Sequence, residues 1–240
     1  MKTSLMLFTL VLVLPFLLVS ISKAQDVKGN GNVVKKTYSV SSFNRIELNG
    51  IYNTIIKQGN IESVEIETDE NLQSYIKPEV TDKTLQIEQT EEVNFKESTR
   101  MNVYITFKSI DKLTNNGVGN LKTDGTVNMN ALSVSCNGVG NLELDLNSST
   151  LNLEMSSVGN IELKGAVTQG DFQISGVGNI DAEDMKVEKL RIESSGVGNA
   201  KVYVTGEIQP TVNGAGNIKC KGNPTVKNLK QDGIGKFKLD

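Results

Sequence analysis

The chain has 240 residues, 38% of them hydrophobic, 22% charged and only 5% aromatic, with 22 Gly, 25 Asn, two Cys, no Trp and no His. Enough apolar residues are present for a packed core, which argues against wholesale disorder. The missing imidazole excludes a His-based triad or zinc site, and two cysteines cannot complete a four-thiolate cluster. The net charge of −3 fits no nucleic-acid partner.

Residues 1–24 read as an export signal: Lys2 at the start, an apolar run from Leu5 to Val19, and Ser22-Lys23-Ala24 with small residues at the cleavage positions. Cleavage is expected after Ala24. It would remove Lys2 and Lys23, moving the net charge from −3 to −5. Pro15 and the cleavage tripeptide weigh against an uncleaved anchor, and the mature chain carries no second apolar stretch of spanning length. The expected location is periplasmic or cell-surface associated. Residues 25–32 are expected to be a short flexible tail.

Residues 33–113 form an N-terminal β-rich segment, with strands expected near Val33-Val34, Arg45 to Leu48, Ile51 to Ile56, Val64 to Glu67, Thr84 to Ile87 and Met101 to Phe107. Asp69 to Ile76 reads as one or two helical turns with Asp69 as cap. Gly50-Ile51-Tyr52-Asn53 looks like a decayed copy of a motif that dominates the rest of the chain.

That motif, Gly117-Val118-Gly119-Asn120, returns as Gly138 to Asn141, Ser157 to Asn160, Gly176 to Asn179, Gly196 to Asn199 and Gly214 to Asn217, then as Gly233-Ile234-Gly235-Lys236. Its starts are 21, 19, 19, 20, 18 and 19 residues apart, and it holds thirteen of the 22 glycines. Such uniform spacing marks a repeat protein. Apolar residues alternate before each motif (Leu132, Val134, Cys136; Leu151, Leu153, Met155) and resume after it at Leu121, Leu142, Ile161, Ile180, Ala200, Ile218 and Phe237. Period-two patterning on both sides of a Gly-rich bend predicts two short strands meeting at a corner. Residues 114–240 are therefore expected to be an all-β, single-chain parallel β-helix of about 19-residue coils, capped by residues 33–113. Spacings that are not multiples of six favour a right-handed coil.

Each corner then uses Gly117, Gly119, Gly138, Gly140, Gly159, Gly176, Gly178, Gly196, Gly198, Gly214 and Gly216 for conformations other residues reach only with strain. Asn120, Asn141, Asn160, Asn179, Asn199 and Asn217 would stack as an amide ladder bonded to the corner backbone. Cys136 and Cys220 both point inward, but 84 residues separate them, about four coils or about 20 Å along the axis. A disulfide needs Cα atoms within about 7 Å, so both are expected to be buried free thiols.

The export signal, Phe43-Asn44-Arg45-Ile46 followed by Gln58-Gly59, and the serial corners Gly119-Asn120-Leu121, Gly140-Asn141-Leu142, Gly159-Asn160-Ile161, Gly178-Asn179-Ile180 and Gly216-Asn217-Ile218 together resemble the bacterial family called putative auto-transporter adhesin, head GIN domain. The resemblance spans about residues 37–238. It implies an exported β-helical domain of the envelope or surface, named for adhesion, and brings no catalytic residues. The chain shows no C-terminal run of barrel strands of the kind an auto-transporter would use.

Positions two and four after each Asn are expected to point outward. This gathers Glu143, Asp145, Glu162, Asp181 and Glu183 on one face with only Lys164 among them. These carboxylates are the candidate Ca²⁺ ligands, set against a plain solvated acidic face. They are also the one enzyme reading, cleavage of glycosidic bonds by paired acids. Against that reading, Tyr203 is the only aromatic expected on the face, and no Arg is expected near it. No other cofactor is implied. The leading reading is a non-catalytic interaction module for an envelope glycan or protein. The second is an assembly module that self-associates through its terminal coil near Phe237-Lys238-Leu239. The third is the carbohydrate-active enzyme.

Overall fold

The computed structural model describes residues 25–90 and 93–240. The expected export signal lies outside them. The strands are β1 (Gln25–Lys28), β2 (Val33–Tyr38), β3 (Arg45–Asn49), β4 (Asn53–Gln58), β5 (Ser63–Asp69), β6 (Ile76–Thr81), β7 (Thr84–Gln89), β8 (Val93–Lys96), β9 (Met101–Phe107), β10 (Lys112–Asn115) and β11 (Leu121–Thr123). They continue as β12 (Val127–Cys136), β13 (Leu142–Met155), β14 (Ile161–Ile174), β15 (Ile180–Ser194), β16 (Ala200–Val212), β17 (Ile218–Lys221), β18 (Thr225–Val226), β19 (Lys230–Gln231) and β20 (Phe237–Leu239).

From β10 onward every pairing is parallel and joins one coil to the next: Leu142 faces Ile161, Ile161 faces Ile180, Ile180 faces Ala200, and Ala200 faces Ile218. The chain is a β-solenoid of about seven turns at about 19-residue spacing. The long strands bend. In β13, Leu142, Leu144, Leu146 and Ser148 are buried, and burial resumes at Leu151, Leu153 and Met155. Two outward residues in a row, Ser149 and Thr150, turn the strand onto the next face, because an odd step in a period-two pattern reverses which side points in.

The interior is a stack of apolar columns. Val134, Leu153, Phe172 and Ile192 follow one another in register, each at most 2% exposed. Phe172 fits because Gly170, in register with Leu151 and Leu190, leaves the inner volume open. A Cβ on Gly170 would stand 3.3 Å from the Phe172 ring and 3.0 Å from Leu190. Close packing of this kind sets residue volumes coil by coil. Cys136 and Cys220 are buried free thiols, and burial pushes them up to about 12 and about 11 respectively.

The first coil comes from the N-terminal segment. β3 pairs in parallel with β10, β4 with β11, and Ile51 bridges Val118. The decayed motif at Gly50-Ile51-Tyr52-Asn53 thus stacks directly against the first full corner, although 67 residues separate Asn53 from Asn120. The intervening chain folds into the cap. β7 and β9 pair in parallel with β3 and β4, and β5 and β6 close over them antiparallel. The outer cap strands are β2, bearing Lys35 and Lys36, and β6, bearing Pro78. Lysines and proline on an edge discourage pairing with another chain.

Two local expectations differ from the structure. Residues 25–28 form β1 in register with Val93–Lys96 where a flexible tail was expected. They are held there because β8, far along the sequence, supplies a partner edge. Glu70–Tyr75 is a 3-10 turn whose Asp69 makes no capping bond. The Asp69 carboxylate instead accepts from Gly31 N at 2.7 Å, Thr99 N at 2.8 Å and Thr99 Oγ1 at 2.9 Å, tying two distant loops together.

Candidate functional site

The corners show why each motif position is restricted. Gly119, Gly140, Gly159, Gly178 and Gly198 have φ between +137° and +155°, a region glycine adopts readily and other residues do not. The first motif position has ordinary φ, and at Gly138 the restriction is space, a Cβ there lying 1.8 Å from the Gly117 carbonyl oxygen, whereas the next coil accommodates Ser157 at this position. Between the glycines, Val118, Val139, Val158, Val177 and Val197 stack in bridges and stay about half exposed as an apolar ridge. Lateral contact within the column shields the other half of each.

Beside this ridge runs the amide ladder. The backbone N–H of Asn120 donates to Asn53 Oδ1 at 3.0 Å, Asn141 to Asn120 at 3.0 Å, Asn160 to Asn141 at 2.9 Å and Asn179 to Asn160 at 3.0 Å. Asn199, Asn217 and Lys236 continue the series. Each side chain satisfies a corner N–H that no strand would otherwise reach. The ladder begins at Asn53, which is in register with Asn102 of the cap, whose amide bonds to Glu67.

Next to the ladder lies the outward row of one long sheet face. Glu65 stands opposite Tyr104, Tyr104 opposite Ile55, Ile55 opposite Lys122, and Lys122 opposite Glu143. The row goes on through Glu162, Asp181, Lys201, Lys219 and Lys238. It crosses ten strands without a break in register, about 43 Å at the usual interstrand spacing. Three acidic residues occupy its middle and three lysines its C-terminal end.

The five candidate cation ligands do not converge on this face. Lys164 Nζ lies 2.7 Å from Glu162 and 3.9 Å from Glu143, and Lys201 Nζ lies 3.3 Å from Glu183 and 3.9 Å from Asp181. Asp145 accepts from Thr126 Oγ1 at 2.9 Å. The 20-residue coil carries its extra residue here, so Lys164 pairs with Asp184 and Glu183 leaves the column. Among the described residues no group of three or more acidic, Cys or His side chains could hold a metal ion. Four of the expected calcium ligands are thus divided between two ammonium groups, and the fifth, Asp145, is held by Thr126.

The sequence reading missed the cap's contribution to the face. Glu67 accepts from the Tyr104 hydroxyl at 2.7 Å, Asn102 Nδ2 at 3.0 Å and Arg100 Nη1 at 2.9 Å. Those bonds, from Tyr104 first and then Asn102 and Arg100, hold the Glu67 carboxyl down at about 2 against the opposing effect of burial. Lys35 Nζ sits 3.8 Å from the centre of the Tyr104 ring and 2.9 Å from Glu65. A second aromatic ring and an arginine therefore border a face expected to have Tyr203 as its only aromatic and no Arg near it. Tyr203 is where it was expected, with Lys221 Nζ 5.1 Å from its ring centre. Arg191 lies on another face, paired to Asp171 at 3.2 Å.

Between the cap and the first coils the face dips into a concavity of about 740 Å³, lined by Asn53, Ile55, Tyr104, Asn120, Lys122, Asn141 and Glu143 among others. The repeat aligns Asn120 with Asn141 and Lys122 with Glu143, but only the pairings of β9 with β4 and of β4 with β11 bring Tyr104 and Ile55 alongside them, which is why no local motif announces the concavity.

Comparison with known proteins places this geometry. No curated protein matches the chain. Among solved structures it is similar to a putative adhesin from Bacteroides fragilis, at 26% identity and a TM-score of 0.83, covering 89% of this chain and 100% of that one. It is also similar to a putative adhesin from Parabacteroides merdae, at 23% identity and a TM-score of 0.67, covering 90% and 100%. A protein from Parabacteroides distasonis described as a putative lipid binding protein shares 22% identity and a TM-score of 0.69, covering 89% and 100%. The last two likenesses show the fold alone. A family model matches residues 42–224, so the serial Gly-x-Gly-Asn corners and the face they align belong to a member of the family described as putative auto-transporter adhesin, head GIN domain.

Proposed function

We propose that this chain is a non-catalytic, exported interaction module that holds an extended envelope or surface glycan along the long face running from Glu65 to Lys238. The observation that carries the reading is the unbroken register of that face across cap and solenoid. A straight polar row repeating every strand matches a polymer, which can gain contacts by lying along it. The acidic residues of the face are engaged with lysines, which does not favour a separated acid and base set for bond cleavage. Membership of an adhesin-named family supports the same reading. No helix among the described residues is long and apolar enough to cross a membrane. Cleavage after Ala24 would leave Gln25, the first residue of β1, as the new terminus, and the mass of the chain recovered from its native envelope tests that point.

A polysaccharide array read for both retention and cleavage products tests the function. Retention with the polymer intact is expected. Shortened products would establish the enzyme reading instead, and an array that retains nothing would refute glycan binding.

A second reading, self-association through the last coil, is favoured by β20, which among the described residues pairs with β17 alone and is flanked by exposed Ile234 and Leu239. Light scattering across a concentration series tests it, and a chain that stays monomeric throughout contradicts it.

A further inference from the structure

We propose that the concavity between β9 and β13 is a subsite for a neutral, hydroxyl-rich saccharide, with Tyr104 as the stacking platform and the amides of Asn53, Asn120 and Asn141 as hydrogen-bond donors. This rests on the reading of the long face as the binding surface and assigns its ligand chemistry and its anchor. The volume, about 740 Å³, lies within the usual range of ligand clefts, about 300–1,000 Å³.

Tyr104 is half-buried and fixed at both ends. Its hydroxyl is bonded to Glu67, and Lys35 lies against its ring. Lys35 covers one face of the ring, and the ring surface that lines the concavity is presented at little ordering cost and widened by Ile55, opposite it on β4. The C–H face of a pyranose fits such a platform, whereas an ordinary sheet surface offers none.

Along the ladder beside the platform the free hydrogen-bonding groups are donors. Asn53, Asn120 and Asn141 each commit Oδ1 to the N–H of the next residue along the ladder. Their Nδ2 groups have no protein acceptor among the described residues, so three amide donors stand one strand spacing apart, about 4.8 Å. Hydroxyl and ring oxygens of a sugar chain are acceptors that can meet such a row. Lys122 and Glu143 face each other across β11 and β13, and Asp124 also lines the concavity. With both signs of charge present and no basic excess, a phosphate or uronate gains little there, so a neutral ligand is favoured.

The test is calorimetric titration of the full mature chain with cellohexaose, laminarihexaose, mannohexaose and chitohexaose, with oligogalacturonate as the anionic comparison. At least one neutral hexamer is expected to bind, with Kd raised tenfold or more by Tyr104→Ala and unchanged by Arg191→Ala, which lies on another face. Should Tyr104→Ala unfold, Ile55→Lys, which obstructs the concavity without removing a bond of the Glu67 network, is expected to raise Kd to the same degree. Neutral binding that survives both variants would overturn the subsite while leaving the long-face reading intact. So would binding of oligogalacturonate alone. If no polysaccharide on the array and no hexamer binds, both the subsite and the glycan reading fall.

Discussion

Backbone conformation separates the two kinds of glycine in a corner. Gly140 combines positive φ with a close approach, whereas Gly138 has ordinary φ and only the approach, 1.8 Å from a projected Cβ to the Gly117 carbonyl oxygen. Gly138→Ala should therefore cost about 3 kcal/mol or more in stability, because two coils must separate to admit it. Urea denaturation checks this, and a loss below about 1 kcal/mol would contradict the packing described. The two thiols make a second residue-scale case. Burial raises both well above the ordinary thiol range, and the thiolate is the reactive species. At pH 8 a thiol reagent is expected to react with neither until denaturant is added. Rapid labelling of folded protein would mean that the columns containing Cys136 and Cys220 open readily. The motif glycines and the ladder asparagines were legible in the sequence because each occupies a fixed offset in a repeat. Tyr104 was not, since its neighbours Ile55 and Glu65 come from strands that only the folded cap brings alongside.

At the scale of elements, the cap is held by polar bonds as well as by its apolar interior. Asp69 is buried, which by itself raises its carboxyl, but the bonds from Thr99 and Gly31 outweigh burial and leave it below the ordinary value. Glu67 lies at about 2. For a carboxyl whose folded value is depressed, the stabilisation is present above the unfolded value, about 4, and disappears as pH falls through the folded one. Hydrogen-exchange protection factors in β2, β5 and β9, taken against the intrinsic rate at each pH, should therefore fall between about pH 4 and pH 2, before those of the central coils β13 to β15 respond. Asp69→Asn should remove part of this dependence and cost about 1–3 kcal/mol. Uniform loss of protection throughout the molecule would contradict a separately titrating cap. Strand positions in the cap could be read from alternation, but their pairing could not. The 67-residue step from Asn53 to Asn120 has no period to reveal it, and β1 finds its partner in β8 across a similar distance.

Across the whole molecule, one register connects features that are far apart in sequence. Coils of nearly constant length put equivalent residues in line, and the cap extends that line by supplying β9 and β5 instead of ending it. The repeat made the solenoid legible. The face as a continuous surface from Glu65 to Lys238 was only half legible, because the cap's share follows no repeat and the extra residue near Glu183 shifts the outward column. The proposed role depends on this continuity more than on any single side chain. The most direct test is a hydrogen-exchange or oxidative footprint of the chain bound to the polymer it retains on the array. Protection is expected on one strip, through Tyr104, Ile55, Lys122, Glu143 and on toward Lys201. Protection confined to the valine ridge or to the last coil near Leu239 would contradict the account.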